Sequence, residues 1–503
     1  MSKIEQFSSR WGIILASLGM AIGAGNIWRF PRLAGQYGGT FIVLWILFLF
    51  IWSIPLLLAE FAIGKKFKKG VIGSFASLAG KKYTWLGFFI TVCTLGIAFY
   101  YSIVTAWSLQ YLGISITNML DPLFLEPSLS EKIAQDPAYL TTQWDAIANG
   151  NWLTVALYII VVMIGTYLLV KGVKKGLERA NKVLIPSLFM LLVIIAFTAL
   201  NMKNGMKGLE YMFSIDFSLF SNPTVWIEAL SQSAWSTGAG WGLMMTISAY
   251  SRSNEEVTLN TFVGAFGNNT ASLLAGMAIL PAVFALSASD AEAISYLQTG
   301  NQALTFTIIP KLFASIPGGS FLSIIFFLAL FLAAFSSLLP MIELFTKNLM
   351  DLGITRKKSV SRVILFFILF GLPSALSLSY FSNQDWVWGV GLIVTGMFIM
   401  FGVVKFGATR FKTELIDGGS DFKIPTKYFT ICITANIGVA LFLIYWWLSQ
   451  GYSTFPWFNE YGFWNVFDTY SNASVVTQWG TILLIGYLLN NYLYRKFVIG
   501  TQE

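Results

Sequence analysis

The sequence predicts an all-α integral membrane protein of twelve transmembrane helices, the first ten forming an inverted five-plus-five repeat in which helices 1 and 6 are discontinuous. Three observations carry this prediction. The 503 residues are 56% hydrophobic and 11% charged, with a mean hydropathy of +0.68, far more apolar than a soluble chain. Apolar segments long enough to cross a ~30 Å hydrocarbon core recur along the whole length. A Gly-Ala-Gly tripeptide interrupts the first apolar segment at residues 23–25 and the sixth at residues 238–240. With 44 glycines the tripeptide itself is weak; its recurrence five spans later is the signal, because broken helices at matching positions of two repeats mark a transporter's central site.

The apolar segments are 11–36, 39–64, 84–112, 153–170, 180–201, 225–251, 257–288, 321–351, 360–378, 385–406, 428–450 and 474–494. They divide the chain into a first five-helix repeat at 1–202, a second, inverted repeat at 203–412, and two further helices at 413–503. Of 32 Lys and Arg, 25 fall on one side when the N-terminus is cytoplasmic, among them Lys3, Arg10, the cluster at 65–82, Arg252, Lys405 and Arg495. By the positive-inside rule the protein is a multi-pass cell-membrane protein with both termini cytoplasmic. The net charge of +8 follows from that bias and from anionic inner-leaflet lipid, and calls for no nucleic acid. Cys93 and Cys432 lie in apolar spans without ligand spacing and read as small core residues.

In the first span, WGIILASLGMAIGAGNIWRFP, the helix breaks at Gly23 and Gly25, with Asn26, Arg29 and Pro31 following. Backbone groups freed at mid-bilayer depth must face protein, water or a ligand. The second span ends at Glu60, which reads either as an interfacial acid or as support for a functional element. The third carries Phe99, Tyr100 and Tyr101, and one of these hydroxyls could hold a ligand carboxylate. Residues 113–152, acidic against a single Lys132, read as a solvated cap. The sixth span is SQSAWSTGAGWGLMMTISAY, residues 231–250. Half-helix N-termini there offer N–H groups to a carboxylate, and the freed carbonyls offer oxygens to a cation. In the seventh span Asn268 and Ser272 share a helical face. In the eighth, Ser336 and Ser337 stand together with Glu343 further on, and paired hydroxyls suit a hard cation such as sodium. The lack of His and of any metal-type cluster argues against an intramembrane enzyme.

Taken together, GxGNxWRFP in span one, KGxER at 175–179, Gln232 with GAGWG in span six, Asn268, and AAxSS in span eight resemble the neurotransmitter:sodium symporter family, which includes the bacterial leucine transporter. The resemblance implies a sodium-coupled symporter of neutral, apolar or aromatic amino acids that works by alternating access, with a same-fold amino-acid sensor as the alternative. It implies two sodium sites: Ala21, Asn26, Ser236 and Asn268 at the first, and Gly19, Ile22, Ala333, Ser336 and Ser337 at the second. The substrate carboxylate is expected at Gly25 and Tyr101, and its amino group at carbonyls around Ala21, Trp235 and Ser236. The side-chain pocket is expected from Met20, Ile97, Trp235, Gly238, Trp241 and Met341, with Gly23 and Ser337 also at the substrate. Arg29 and Asp385 match the outer gate pair. Asp351 matches the inner-gate acid, whose N-terminal partner is missing because Ile4 and Phe7 stand at the usual Arg and Trp positions, leaving Lys3 as a stand-in. Glu60 matches an acid that supports the unwound sixth helix.

Several positions depart from the family pattern. Trp235 replaces the usual Phe lid. Ser272 replaces the acid of chloride-independent members, and Trp45 replaces an anion-contacting Tyr. Two alternatives follow: chloride held among Gln232, Ser236, Asn268 and Ser272, or another acid supplying the balancing charge.

Overall fold

In a computed structural model, residues 5–418, 420 and 422–499 are described. Their regular structure is helical apart from one isolated bridge, Phe458 with Trp464. Helix α1a, Arg10–Ala21, begins where Ser9 accepts the Gly12 amide at 3.1 Å, an N-cap that satisfies an otherwise orphaned donor. It stops at Ile22 and Gly23, both extended. α1b resumes with Ala24–Ile27 and runs into the helix Arg29–Phe48. That helix folds over at Gly38, where φ is +57° and a Cβ would lie 2.7 Å from the Ser214 carbonyl oxygen, leaving no room for a side chain. Beyond this kink, α2 passes through a π-turn at Leu49–Ser53 into Ile54–Phe67.

The remaining spans are α3 Thr84–Leu120, α4 Trp152–Val170, α5 Arg179–Asn201, α6a Pro223–Thr237 with α6b Leu243–Ala249, α7 Val257–Leu286, α8 Gly319–Asp351, α9 Arg356–Leu376, α10 Leu378–Phe406, α11 Thr426–Ser449 and α12 Asn472–Leu488. Nine helices among the described residues are long and apolar enough to cross a membrane unbroken. α12, bent by 62° into Asn490–Ile499, is a tenth. The two broken spans, α1 and α6, complete twelve, five spans apart as the inverted repeat requires.

Three boundaries differ from the sequence reading. α10 starts at Leu378 instead of 385, because Ser377 caps it by accepting the Tyr380 amide at 3.2 Å; Asp385 therefore lies two turns inside the helix. α3 continues to Leu120, beyond the expected 112. The segment at 113–152 is more than a solvated cap. Its helix Tyr139–Ala148 seats Trp144 between Trp107 and Phe306, with ring centroids 5.0 and 4.7 Å away.

α3 and α8 pack along each other, with Tyr111 against Phe327 at 5.1 Å between ring centroids and the Ser115 and Ser323 hydroxyls 2.8 Å apart. α4, α5, α9 and α11 are peripheral and present Tyr167, Phe197, Phe370 and Tyr445 outward, as lipid-facing helices do. At the end carrying the termini, Arg356 closes the bundle. It bonds Glu5 at 2.7 Å, the fully buried Glu343 at 2.8 Å and Tyr250 at 3.2 Å. The buried Phe7 donates its amide to the Tyr250 carbonyl at 3.1 Å.

Candidate functional site

The two helix breaks face one cavity of about 370 Å³. Met20, Ala21, Gly23, Gly25, Tyr101, Trp235, Ser236, Gly238, Trp241, Ser337 and Met341 all line it, together with Asn26 and Gln232. Ile97 does not: it is fully buried in the core. The deep part carries no charged side chain. Toward the end opposite the termini the cavity widens into a vestibule walled by Arg29, Glu228, Asp385, Trp386, Trp447 and Tyr452.

The chemistry of each break follows from its residues. In α1, a Cβ at Gly23 would lie 2.7 Å from the Tyr101 hydroxyl and 3.0 Å from Ser337 Oγ, so any side chain there is excluded. Gly25 has open space before it, which leaves its amide edge accessible from the cavity. The Ala24 amide donates to the Tyr101 hydroxyl at 2.9 Å, fixing that ring at the break. In α6, Gly238, Gly240 and Gly242 all take positive φ, +70°, +96° and +75°, a backbone that L side chains rarely adopt. The stretch is held by Glu60, fully buried, which accepts the Gly240 amide at 2.6 Å, and by Thr94, which donates to the Trp241 carbonyl at 2.6 Å. Trp235 and Trp241 meet edge-to-face with centroids 5.1 Å apart.

Two oxygen clusters flank the α1 break. In the first, Asn26 Oδ1 accepts the Gly23 amide at 2.9 Å, and Asn26 Nδ2 donates to Asn268 Oδ1 and Ser272 Oγ, both at 2.8 Å. Asn268 Oδ1 also lies 2.8 Å from the Ser236 carbonyl oxygen and 3.2 Å from that of Ala21. Turning the amide would satisfy those carbonyls, but would set its NH₂ against that of Asn26. In either orientation like groups face each other. In the second cluster, Ser337 Oγ reaches the carbonyls of Gly19, Ile22 and Met20 at 3.0, 3.1 and 3.3 Å. Ser336 Oγ reaches those of Ala333 and Ile22 at 3.0 and 3.4 Å. A hydroxyl has one proton, so most of these close oxygen pairs have none between them. Both sets fit a hard cation bound by oxygen.

Among the anion candidates, Ser236 and Asn268 are joined at 3.1 Å, and Ser272 meets Asn26. Gln232 donates to the Gly25 carbonyl at 3.4 Å and keeps a buried oxygen without a partner. Trp45 is fully buried against Phe30, and its indole N–H has no partner among the described residues.

The expected gate residues stand apart in this structure. Arg29 pairs with Glu228 at 2.8 Å and with Ser231 Oγ at 3.0 Å, not with Asp385. The reason is local: Glu228 lies one turn above Gln232 on α6a, on the face that α1b packs against, while Asp385 stands across the open vestibule, exposed, near the Tyr100 hydroxyl. Asp351 bonds Lys347 on its own helix at 2.8 Å and accepts the Gly70 amide at 2.6 Å, so it serves as a local cap among the described residues. Lys3 and Ile4 lie outside the described residues. The closure that sequence reasoning missed is Glu5–Arg356–Glu343. Its one legible signal was Glu343, an acid inside an apolar span that needs a partner.

Two helices broken at matching positions around one central cavity, flanked by oxygen clusters, define a secondary transporter. The chain belongs to the sodium:neurotransmitter symporter family, which matches residues 4–123 and 135–491; it is a sodium-dependent transporter and not an enzyme. It is 32% identical over 380 residues to an uncharacterised sodium-dependent transporter of Methanocaldococcus jannaschii, covering 73% of this chain and 74% of that one. It is 27% identical over 497 residues to the sodium-dependent serotonin transporter of Drosophila melanogaster, covering 90% and 78%. Among solved structures, MhsT in complex with L-phenylalanine superposes with a TM-score of 0.76 at 28% identity, covering 88% of this chain and 99% of that one.

Proposed function

We propose that this protein is a symporter that carries a neutral apolar or aromatic amino acid together with two sodium ions. The carrying observation is the uncharged deep cavity between two helix breaks, with one oxygen cluster on each side of the α1 break. A carboxylate would meet the Gly25 amide and the Tyr101 hydroxyl, and would complete the oxygen set of Ala21, Asn26, Ser236 and Asn268 around the first sodium. The second sodium would take Gly19, Ile22, Ala333, Ser336 and Ser337. Since no side chain fits at Gly23, an acid that could replace the substrate's carboxylate there is excluded. A charged substrate side chain would be desolvated without a partner. The bound L-phenylalanine of MhsT supports the same class.

Alternating access follows from which groups are tied to which. Arg29 and Glu228 lie on α1 and α6, the two broken helices, so their pair leaves the vestibule open; transfer of Arg29 to Asp385 on α10 would close it. At the opposite end Glu5, Arg356 and Glu343 hold the protein shut. This is the outward-facing state of a transporter whose termini are cytoplasmic. For charge balance we favour chloride among Gln232, Ser236, Asn268 and Ser272, with the orphaned Trp45 N–H as a further donor. Two buried sodium ions against one carboxylate otherwise leave uncompensated charge. The test of the substrate class is competition against radiolabelled L-phenylalanine. Leucine, methionine and tryptophan should compete, whereas phenethylamine, lysine and glutamate should not. Competition by phenethylamine equal to that of phenylalanine would refute the carboxylate–sodium contact.

A further inference from the structure

We infer that the aromatic hairpin between α11 and α12 is an anchor seated in the phospholipid interfacial layer at the vestibule end. The segment folds on itself. Phe458 bridges Trp464, the Asn459 amide donates to the Phe463 carbonyl at 2.8 Å, and the Asn465 amide donates to the Trp457 carbonyl at 3.0 Å. Trp464 packs between Trp457 and Phe458, at 5.9 and 5.4 Å. This leaves Phe458, Tyr461, Phe463 and Phe467 exposed, Phe467 at 97%.

Three observations commit these rings to lipid. First, the hairpin lies alongside α12 instead of standing above it: Trp464 Nε1 donates to Thr477 Oγ at 2.8 Å, on an outward-facing position of that helix. Thr477 is the sixth residue of α12, so it sits ~7 Å along the axis. Second, α12 and its continuation Asn490–Ile499, bent by 62°, form one span that reaches ~32 Å, close to the ~30 Å hydrocarbon core. Its first turns therefore lie at the edge of that core, at the depth of the interfacial layer, and so does Trp464. Third, residues 451–471 contain no Lys or Arg and only two acids. Asp468 turns inward to Ser453 at 3.0 Å and the Tyr470 amide at 2.9 Å, and Glu460 lies at the tip. Amphipathic rings without basic charge suit the zwitterionic interface, where Trp and Tyr form aromatic belts. The hairpin's base also grips α10: Asn383 donates to the Thr469 carbonyl and to Ser474 Oγ, both at 3.0 Å, and Trp386 packs on Tyr452 at 4.8 Å. Anchoring in lipid thereby steadies the vestibule wall that bears Asp385.

The experiment uses full-length protein with Cys432→Ser, retaining the buried Cys93. Phe463→Cys, Phe467→Cys and, on the acidic cap, Ala134→Cys are each labelled with an environment-sensitive fluorophore and reconstituted into phosphatidylcholine vesicles. Phenylalanine binding checks that each variant is folded. Quenching by shallow nitroxide lipid should be at least threefold greater at 463 and 467 than at 134, with iodide quenching reversed. Both should be unchanged when a third of the lipid is phosphatidylglycerol. Aqueous quenching at 467 equal to that at 134 overturns the inference. So does protection that grows with protein density and shows energy transfer between copies, which would assign the hairpin to a second copy. Phe467 is 97% exposed and makes no ring contact among the described residues, so its variant carries the test even where Phe463→Cys fails to fold.

Discussion

Replacing Ser337 by Ala tests the second oxygen cluster most sharply. Ser337 Oγ is buried and stands within 3.0–3.3 Å of the Gly19, Ile22 and Met20 carbonyls. A bound sodium ion would lose one oxygen in five. Losing a buried contact to a charge costs about 1.5–3 kcal/mol, which corresponds to a rise of about 10- to 150-fold in the sodium concentration for half-maximal uptake. The assay is L-phenylalanine uptake into proteoliposomes against external sodium, with thermal stability in sodium-free buffer as the control for folding. Ser337→Thr keeps the hydroxyl and should retain most of the affinity. A sodium dependence unchanged in Ser337→Ala would remove this cluster from the mechanism.

Ser272→Glu places a fixed acid beside Asn26 and should make uptake equal in chloride and gluconate, whereas uptake by the unmutated protein should fall in gluconate. Glu228→Gln frees Arg29 from a partly exposed pair, whose energy is on the order of 1 kcal/mol. The vestibule should then close more readily, and substrate dissociation should slow about two- to fivefold, measured by dilution of bound radioligand. Lys68, at the end of α2, reaches the Ser251 carbonyl and hydroxyl; burial, and then the nearby Lys65 charge, pull its pKa down to about 8. Between about pH 8 and its ordinary value of 10.5 the unfolded chain holds this proton more tightly than the folded one, so stability rises with pH across that window. Lys68→Met should flatten the rise in melting temperature from pH 8 to 10.

The fold was legible because the membrane imposes strict rules: apolar runs of fixed length, basic residues on one side, and helix breaks admitted only where they face a cavity. For Glu60, at the end of the second span, the same logic left an interfacial and a supporting role open; the resemblance pointed to the sixth helix, whose Gly240 amide it accepts. The gates were less legible. Arg29 holds Glu228 here, and the proposed closure would move it to Asp385, a change of conformational state that no spacing encodes. Asp351 is held locally by its i,i−4 partner Lys347 and by the Gly70 amide, and its expected partner Lys3 lies outside the described residues. Ile97, one turn before Tyr101 on the same helix, is fully buried and stops short of the cavity, a difference of depth that helical spacing does not encode.

The central claim is that substrate movement is driven by sodium. The direct measurement is uptake of radiolabelled L-phenylalanine into proteoliposomes holding an inward sodium gradient, recorded alongside substrate-evoked current. Sodium coupling should give concentrative uptake that collapses when the gradient is dissipated and an inward positive current that appears only with substrate. Saturable sodium-dependent binding with neither accumulation nor current would contradict it and would make the protein a sensor built on a transporter's fold.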